Sequence, residues 1–259
     1  MNKGADGAHG DDVAGLKTAV VVWLMCGQPT PEPTLEPREK TGHGFYHDTT
    51  AQLICPIDYD WSNAQANICD FHPDYLITAD SWPHFVYKDK MYDPKDPVKG
   101  LFKNVMLVKA FKHIFTSPSS ADSENTFDNA DHEDLTSTEP SSKCRKGPSE
   151  KRSQAHVAAL IGMKCVSPHA IAYTAVQLWF ALSSCNSWRI VDDDFDYDQF
   201  YNNIITFFEN VHTTQEKAQI SKLLLWWNQY LPSIFCLQAA DLLSTNINIL
   251  ENSLACDCK

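Results

Sequence analysis

The sequence predicts a mainly α-helical fold with a helical bundle-like core, an irregular first half and one small β-hairpin. Several stretches repeat apolar residues every three or four positions, which is the spacing of a helix that buries one face. Most of them follow residue 167, so we expect these helices to pack on one another and on an earlier helix at 98–115. Residues 41–80 instead carry aromatic side chains among turn-forming residues, without a sustained period.

These patterns divide the chain into segments, of which only two carry enough apolar residues for a shared core. The predicted segments are 1–40, a helix plus a Pro-rich tether; 41–116, an irregular and β-hairpin segment ending in a basic amphipathic helix; 117–153, a disordered acidic-then-basic insert; 154–232, a helical segment sharing one core with 41–116; and 233–259, a divergent tail.

The first helix is predicted from apolar residues that recur on one helical face, with an aspartate at position 11 or 12 as its cap. The face consists of Leu16, Val20, Trp23 and Leu24. Gly27 and the prolines at 29, 31, 33 and 37 end the helix and favour an extended connector.

The stretch His84–Tyr92 has β-forming residues on both sides of a polar centre, which predicts the small hairpin. Pro94 and Pro97 then precede a helix predicted over 98–115, with lysines at 99, 103, 109 and 112 outside its apolar face. That face consists of Leu101, Val105, Val108, Phe111 and Phe115.

Residues 117–153 contain a run of acidic residues followed by basic ones, with Phe127 and Leu135 as the large apolar side chains. Two such side chains do not offset the entropy of ordering the segment, so we expect disorder. Its basic cluster is a candidate nuclear-import signal or weak nucleic-acid contact, or else a solvated linker that balances the acidic run. The cluster consists of Lys143, Arg145, Lys146, Lys151 and Arg152.

In the second half, Ser167 and Pro168 suit the cap and first turn of a helix that runs to Leu182. A loop is predicted over 183–196 and a helix over 198–211. Thr213 and Glu216 form a capping box that opens a further helix, which Pro232 ends. The tail after Pro232 would add one more amphipathic helix.

Composition excludes several function classes. The net charge is −12, which argues against indiscriminate binding to nucleic acid or anionic lipid. The longest unbroken apolar run, 19–26, is too short to cross a membrane, and acidic residues near the start oppose a secretory signal. Nine cysteines without a regular framework favour reduced thiols, so we expect a cytoplasmic or nuclear protein, neither secreted nor transmembrane.

Histidines and cysteines of the first half are candidate zinc ligands, because zinc binds both residue types. Their spacing does not match a zinc site, since no Cys-x-x-Cys pair occurs. Such residues more commonly have structural roles in the protein interior. These candidates are His43, His47, Cys55, Cys69 and His72. We therefore predict no cofactor, with zinc as the alternative.

Three other arrangements of side chains could carry chemistry. The aspartates at 192, 194 and 196 match the first positions of a calcium loop, but Tyr197 replaces its glycine and Asn203 its closing glutamate. We expect these acids to cap the next helix instead. A metal-dependent nuclease could use His47 with the aspartates at 48, 58 and 60, and Cys165 lies near His169 as a possible nucleophile and base.

Short motifs along residues 16–231 together resemble an uncharacterised family of mushroom-forming fungi, domain of unknown function 6698. In the first half they are Leu16–Leu24 with its proline-rich exit, Gly44-Phe45 with His47, Leu53–Pro56 leading to Asp60-Trp61, Trp82–Tyr87, Tyr92–Pro94 and Lys99–Ser120. In the second half they are Phe180–Ser184, Phe200–Asn203 and Leu223–Asn228.

The resemblance implies no activity, cofactor or catalytic residue. It does imply an arginine where this chain has Trp179, and a helical region ahead of Leu16 that is absent here, so we expect a truncated or divergent copy. Such a copy would expose apolar helix faces and self-associate or bind a protein partner.

No organised catalytic site is predicted, so we expect a non-enzymatic interaction or regulatory protein, nuclear or cytoplasmic, that binds no membrane. Nucleic acid would be contacted only weakly, through 143–152. The alternatives are a metal-dependent hydrolase or nuclease that uses histidines and aspartates of the first half, and a small zinc-stabilised module.

Overall fold

Nine α-helices and one two-stranded sheet make up the regular structure of residues 15–122 and 157–229, the part of the chain that the computed structural model describes. The first-half helices are α1 (15–25), α2 (Asp48–Ile54), α3 (Trp61–Cys69), α4 (Val105–Phe115) and α5 (Pro118–Ala121). The second-half helices are α6 (Val157–Leu160), α7 (Pro168–Leu182), α8 (Tyr197–Glu209) and α9 (Thr214–Gln229). The predicted mainly α fold is confirmed.

Local caps begin the helices of the second half where the sequence places them. The Ser167 hydroxyl accepts a hydrogen bond from the Ala170 N–H, with Pro168 in the first turn of α7. Thr213 and Glu216 form the predicted capping box, because each side chain accepts a hydrogen bond from the other residue's N–H.

The hairpin predicted over 84–92 is wrong. Short 3-10 turns, His84–Val86 and Lys88–Lys90, occupy this stretch, and no strand forms on either side of Asp89 and Lys90, although both have positive φ. Tyr87 pairs instead with Leu101, and its carbonyl accepts a hydrogen bond from the Asn104 side chain at 2.7 Å.

The helix predicted over 98–115 begins only at Val105. Gly100 and Phe102 have positive φ values, +75° and +56°, which a right-handed helix excludes. Asn104 then caps α4 by accepting a hydrogen bond from the Met106 N–H at 2.8 Å.

The sheet lies where a loop was predicted, within 183–196. Strand β1 (Val191–Asp192) pairs antiparallel with β2 (Phe195–Asp196), with Val191 opposite Asp196 and Asp192 opposite Phe195. Each strand is two residues long, so neither shows the alternation that identifies a strand in a sequence.

The chain stays ordered beyond Ser117, the predicted start of the insert. Ser117 caps α5, and the Trp23 indole donates a hydrogen bond to the Asp122 carboxylate at 3.0 Å. The remainder of the insert with its basic cluster, the cap predicted for α1 and the tail from 233 lie outside the described residues.

Buried residues from both halves form the main hydrophobic cluster. Phe85 packs edge-to-face on Trp179 of α7, and Phe111 of α4 packs on Trp227 of α9. The predicted apolar face of α1 is buried, as is Leu35 in the connector that follows. None of the helices in 15–122 and 157–229 combines the length and apolarity that a membrane span requires.

Candidate functional site

A cavity of about 100 Å³ opens between the 44–46 turn and the end of α3 on one side and the end of α7 with the β1–β2 turn on the other. Its apolar interior includes Ile54, Ile68, Ile77, Trp179 and Phe195. The Trp179 and Phe195 rings stack with centroids 3.8 Å apart and planes 5° apart. Trp179, which stands where the resemblance implied an arginine, therefore makes part of an aromatic wall.

Large apolar side chains at the cavity mouth are exposed, namely Tyr46, Phe71 and Leu76. We call these three residues the apolar rim. Phe71 is 66% exposed, although phenylalanine is usually buried. The cavity thus presents apolar surface that no side chain of the described structure covers.

The conformation of Phe71 is set by the end of α3. The Phe71 N–H donates to the Ile68 carbonyl at 3.1 Å, and the His72 N–H donates to the Asn67 carbonyl at 2.8 Å. These bonds form a Schellman motif, in which the residue after the helix cap is left-handed and is commonly glycine. Phe71 holds that position with φ of +54°. The left-handed conformation costs a side chain other than glycine about 1 kcal/mol.

Three consecutive aspartates, Asp192–Asp194, line the cavity beside the rim, and we call them the acidic turn. Asp192 lies near Arg189, with 3.9 Å between the Arg189 Nε and the Asp192 carboxylate. Asp193 and Asp194 are exposed and make no ion pair within 15–122 and 157–229. Among the residues that the structure describes, no lysine, arginine or histidine lines the cavity. The local field therefore favours positive charge.

Gly44 allows the 44–46 turn to close against the end of α7. Its φ is +63°, and a Cβ there would lie 2.9 Å from the Ser184 backbone nitrogen. A side chain at this position would therefore push the turn away from the cavity wall.

A buried lysine, Lys40, holds that wall from behind. Lys40 is 3% exposed and donates hydrogen bonds to the Phe180 and Cys185 carbonyls and to the Ser183 hydroxyl. Burial, reinforced by the neighbouring Lys17, lowers the pKa of Lys40 to about 7, although Cys185 and Asp192 oppose the shift. Since Ser183 also lines the cavity, Lys40 fixes one of its walls.

The predicted zinc candidates serve structural roles instead. Both ring nitrogens of His47 are engaged, with the Pro33 carbonyl and the Thr49 N–H. Burial and Asp60 raise the pKa of Cys55 to about 12, which opposes the thiolate that zinc binds. His43 contacts the Glu36 carbonyl, Cys69 the Phe45 carbonyl and His72 the Asp74 N–H.

The nuclease and calcium candidates are likewise occupied. Asp48 accepts hydrogen bonds from Trp61 and Gln65, Asp58 accepts one from Ser81, and Asp60 caps α3. Asp196 caps α8, as expected for this acidic run. Within the described ranges, no three His, Cys, Asp or Glu side chains lie close enough to hold a metal ion.

The pair considered for nucleophilic catalysis is not assembled. His169 Nδ1 lies 2.8 Å from the Tyr201 hydroxyl, and His169 Nε2 lies 3.7 Å from the Glu209 carboxylate. Cys165 is an exposed free thiol and is not among the partners of His169.

Sequence reasoning missed the rim residues and Lys40. A signal for the rim was present, because Asp60 caps a helix whose buried residues Trp61, Ala64 and Ile68 follow helical spacing. Recognising α3 would have placed Phe71 at a position that favours glycine. No local pattern marks Lys40, whose partners lie far along the chain.

Comparison with known proteins identifies a family. A model of a family of unknown function, DUF6698, matches residues 3–231, which include every residue that lines the cavity. Searches of curated proteins and of solved structures find no match. Because the family match covers well over half of the 259 residues, the chain belongs to the DUF6698 family.

Proposed function

We propose that this protein is a non-enzymatic interaction protein that holds one apolar side chain of a partner protein in its aromatic cavity. The observation that carries the proposal is Phe71, an exposed aromatic residue in a glycine-favouring conformation at the cavity mouth. Backbone strain and exposed apolar surface at one place are typical of a functional site.

The cavity size supports a side chain rather than a metabolite as occupant. Pockets for cofactors and drug-sized ligands measure about 300–1,000 Å³. A dry cavity of about 150 Å³ accepts benzene. At about 100 Å³, this cavity suits one aliphatic side chain of moderate size.

The exposed rim supports a protein partner. Phe71, Tyr46 and Leu76 surround the opening, so a partner that fills the cavity would also cover them. Burial of aromatic residues at the centre of an interface contributes most to protein–protein affinity. Binding would thereby offset the conformational cost of Phe71.

The proposal is tested by selecting random peptides displayed on phage against the full chain and measuring the affinity of resynthesised peptides by calorimetry. Leu76→Ser should weaken binding about fivefold to tenfold through lost apolar contact. Leu225→Ser is the matched control, since Leu225 on α9 is 42% exposed and Leu76 is 45% exposed. Failure to enrich any peptide, or equal losses in both variants, would contradict the proposal.

We further propose that the protein works in the cytoplasm or the nucleus. The described cysteines Cys26, Cys55, Cys69, Cys165 and Cys185 are free thiols, which supports a reducing compartment. The basic cluster that includes Lys143, Arg145 and Lys146 supports nuclear import.

A fluorescent fusion tests the import proposal. Replacing Lys143, Arg145 and Lys146 by alanine should abolish nuclear enrichment. The control replaces the exposed Lys95, Lys217 and Lys222 by alanine, which keeps the change in net charge the same. Unchanged distribution in the cluster variant would reject import through this cluster.

A further inference from the structure

We infer that the partner segment held in the cavity is basic, with a lysine or arginine within two residues of its apolar anchor. This inference rests on the proposed function and adds the chemistry of the partner. It follows from the charges that surround an apolar opening.

The side chains lining the cavity carry charge of one sign. Asp192–Asp194 are its charged lining residues, and no lysine, arginine or histidine from 15–122 or 157–229 lines it. Arg189 lies 3.9 Å from Asp192 and partly compensates it. Asp193 and Asp194 keep exposed carboxylates without an ion pair in the structure as described. A partner that brings lysine or arginine therefore gains charge complementarity, and a partner that brings glutamate is repelled.

The dimensions bring a neighbouring residue of the partner to the acidic turn. A cavity of about 100 Å³ is only a few ångströms across, and residues of an extended peptide are about 3.3 Å apart. The acidic turn and the apolar rim line the same opening. A peptide whose apolar side chain enters the cavity thus carries its neighbours across the acidic turn.

The apolar rim also suits a cation with a long aliphatic stem. Lysine and arginine lay their methylene groups along apolar surface while the charged end stays in water. The exposed rings of Tyr46 and Phe71 offer that surface, and aromatic rings attract cations. An anionic membrane or a nucleic acid would instead bring its phosphates to the acidic turn.

The test compares peptides that differ only in the charge beside the anchor. They are acetyl-Ala-Lys-Leu-Lys-Ala-amide and its counterparts with glutamine or glutamate in place of both lysines. Binding to the full chain is followed by protein NMR at about 50 mM and about 300 mM NaCl. The lysine peptide should bind about tenfold more tightly than the glutamate peptide at low salt, and the difference should shrink at high salt.

Charge variants test whether the acidic turn causes the preference for the lysine peptide over the glutamate peptide. The double variant Asp193→Asn, Asp194→Asn should remove most of that preference. It should still fold, since asparagine tolerates the left-handed conformation of Asp193, whose φ is +53°. Glu32→Gln with Asp96→Asn removes the same charge from exposed positions away from the cavity lining and should keep the preference.

Each outcome decides between the proposals. Equal binding of all three peptides, sensitive to Leu76→Ser, would overturn the basic partner and leave the proposed function standing. Binding of none of the three would overturn the basic partner, and the proposed function would fall with it only if the phage library also enriched no peptide. Tighter binding of the glutamate peptide or of phosphatidylserine vesicles would also overturn the inference. Sedimentation velocity gives a further outcome that would overturn the inference. It is a dimer that is lost in the Leu76→Ser variant but does not dissociate when the lysine peptide is added.

Discussion

Phe102 and Phe71 are two phenylalanines in the same unfavourable backbone conformation, with φ of +56° and +54°, in opposite surroundings. Phe102 is 0% exposed, and its ring centroid lies 5.4–5.5 Å from the ring centroids of Trp82, Phe207 and Phe208. Burial of such a side chain contributes about 2–3 kcal/mol, which more than offsets the conformational cost. Phe71 lies at the cavity mouth without that burial. The fold therefore explains Phe102, whereas Phe71 calls for an explanation outside the fold.

Truncation of the two side chains should produce the largest contrast. Phe102→Ala should lower the free energy of unfolding by about 3–5 kcal/mol, because it removes a ring from the packed core. Phe71→Ala should change it by less than about 0.5 kcal/mol. Urea denaturation of both variants measures the difference. A loss above about 2 kcal/mol in Phe71→Ala would show that this ring supports the fold.

The buried lysine behind the cavity wall should make the free energy of unfolding depend on pH, whereas the exposed residues at the cavity mouth should not. Burial lowers the pKa of Lys40 to about 7, below its value in the unfolded chain. The unfolded state therefore binds more protons between about pH 7 and pH 10.5, and the contribution of Lys40 to stability rises with pH over that range. Between about pH 7 and pH 9 the rise should be about 2 kcal/mol.

This pH effect is measured as a difference between variants, because cysteine and tyrosine side chains of the unfolded chain lose protons over a neighbouring pH range. The unfolding free energy of the wild type minus that of Lys40→Met should increase by about 2 kcal/mol from about pH 7 to pH 9. Lys222→Met changes an exposed lysine on α9 and should leave the corresponding difference constant. A constant difference for Lys40→Met would show that Lys40 keeps its proton throughout.

Glycine substitution should separate the two phenylalanines by the sign of its effect. Phe71→Gly should raise the free energy of unfolding by about 0.5–1 kcal/mol, since it relieves the left-handed conformation and removes little burial. Phe102→Gly should lower it by several kcal/mol, about as much as Phe102→Ala. Urea denaturation measures both. Destabilisation by Phe71→Gly would refute strain at the cavity mouth.

The acidic turn should show the smallest stability effect. Asp193→Asn keeps a residue that tolerates positive φ and removes an exposed charge that forms no ion pair with the residues the structure describes. Its melting temperature should lie within about 2 °C of the wild type by calorimetry. A larger drop would mean that the Asp193 carboxylate holds the β1–β2 turn together, which would weaken its assignment to partner recognition.

Features that depend on neighbouring residues could be predicted from the sequence. The start of α7 at Ser167-Pro168 and the Thr213–Glu216 box follow from residues within one helical turn of each other. The hairpin predicted over 84–92 does not form, because the backbone of Tyr87 pairs with Leu101, a partner outside the stretch whose pattern predicted it.

The cavity could not be predicted in the same way. Gly44, Phe71, Trp179 and Asp193 belong to distant parts of the chain, and only tertiary packing brings them to one opening. The strain at Phe71 was hidden because α3 went unrecognised, although Asp60 and the helical spacing from Trp61 to Ile68 were signals for it.

The peptide affinity of the Phe71→Gly variant tests the central claim most directly. That claim is that the Phe71 side chain contributes to partner binding and not to the stability of the fold. The wild type and the variant are titrated with acetyl-Ala-Lys-Leu-Lys-Ala-amide at about 50 mM NaCl, after urea denaturation has established that the variant is folded. The account predicts a variant that is more stable than the wild type and binds the peptide about fivefold more weakly. A variant that binds as tightly as the wild type would contradict it.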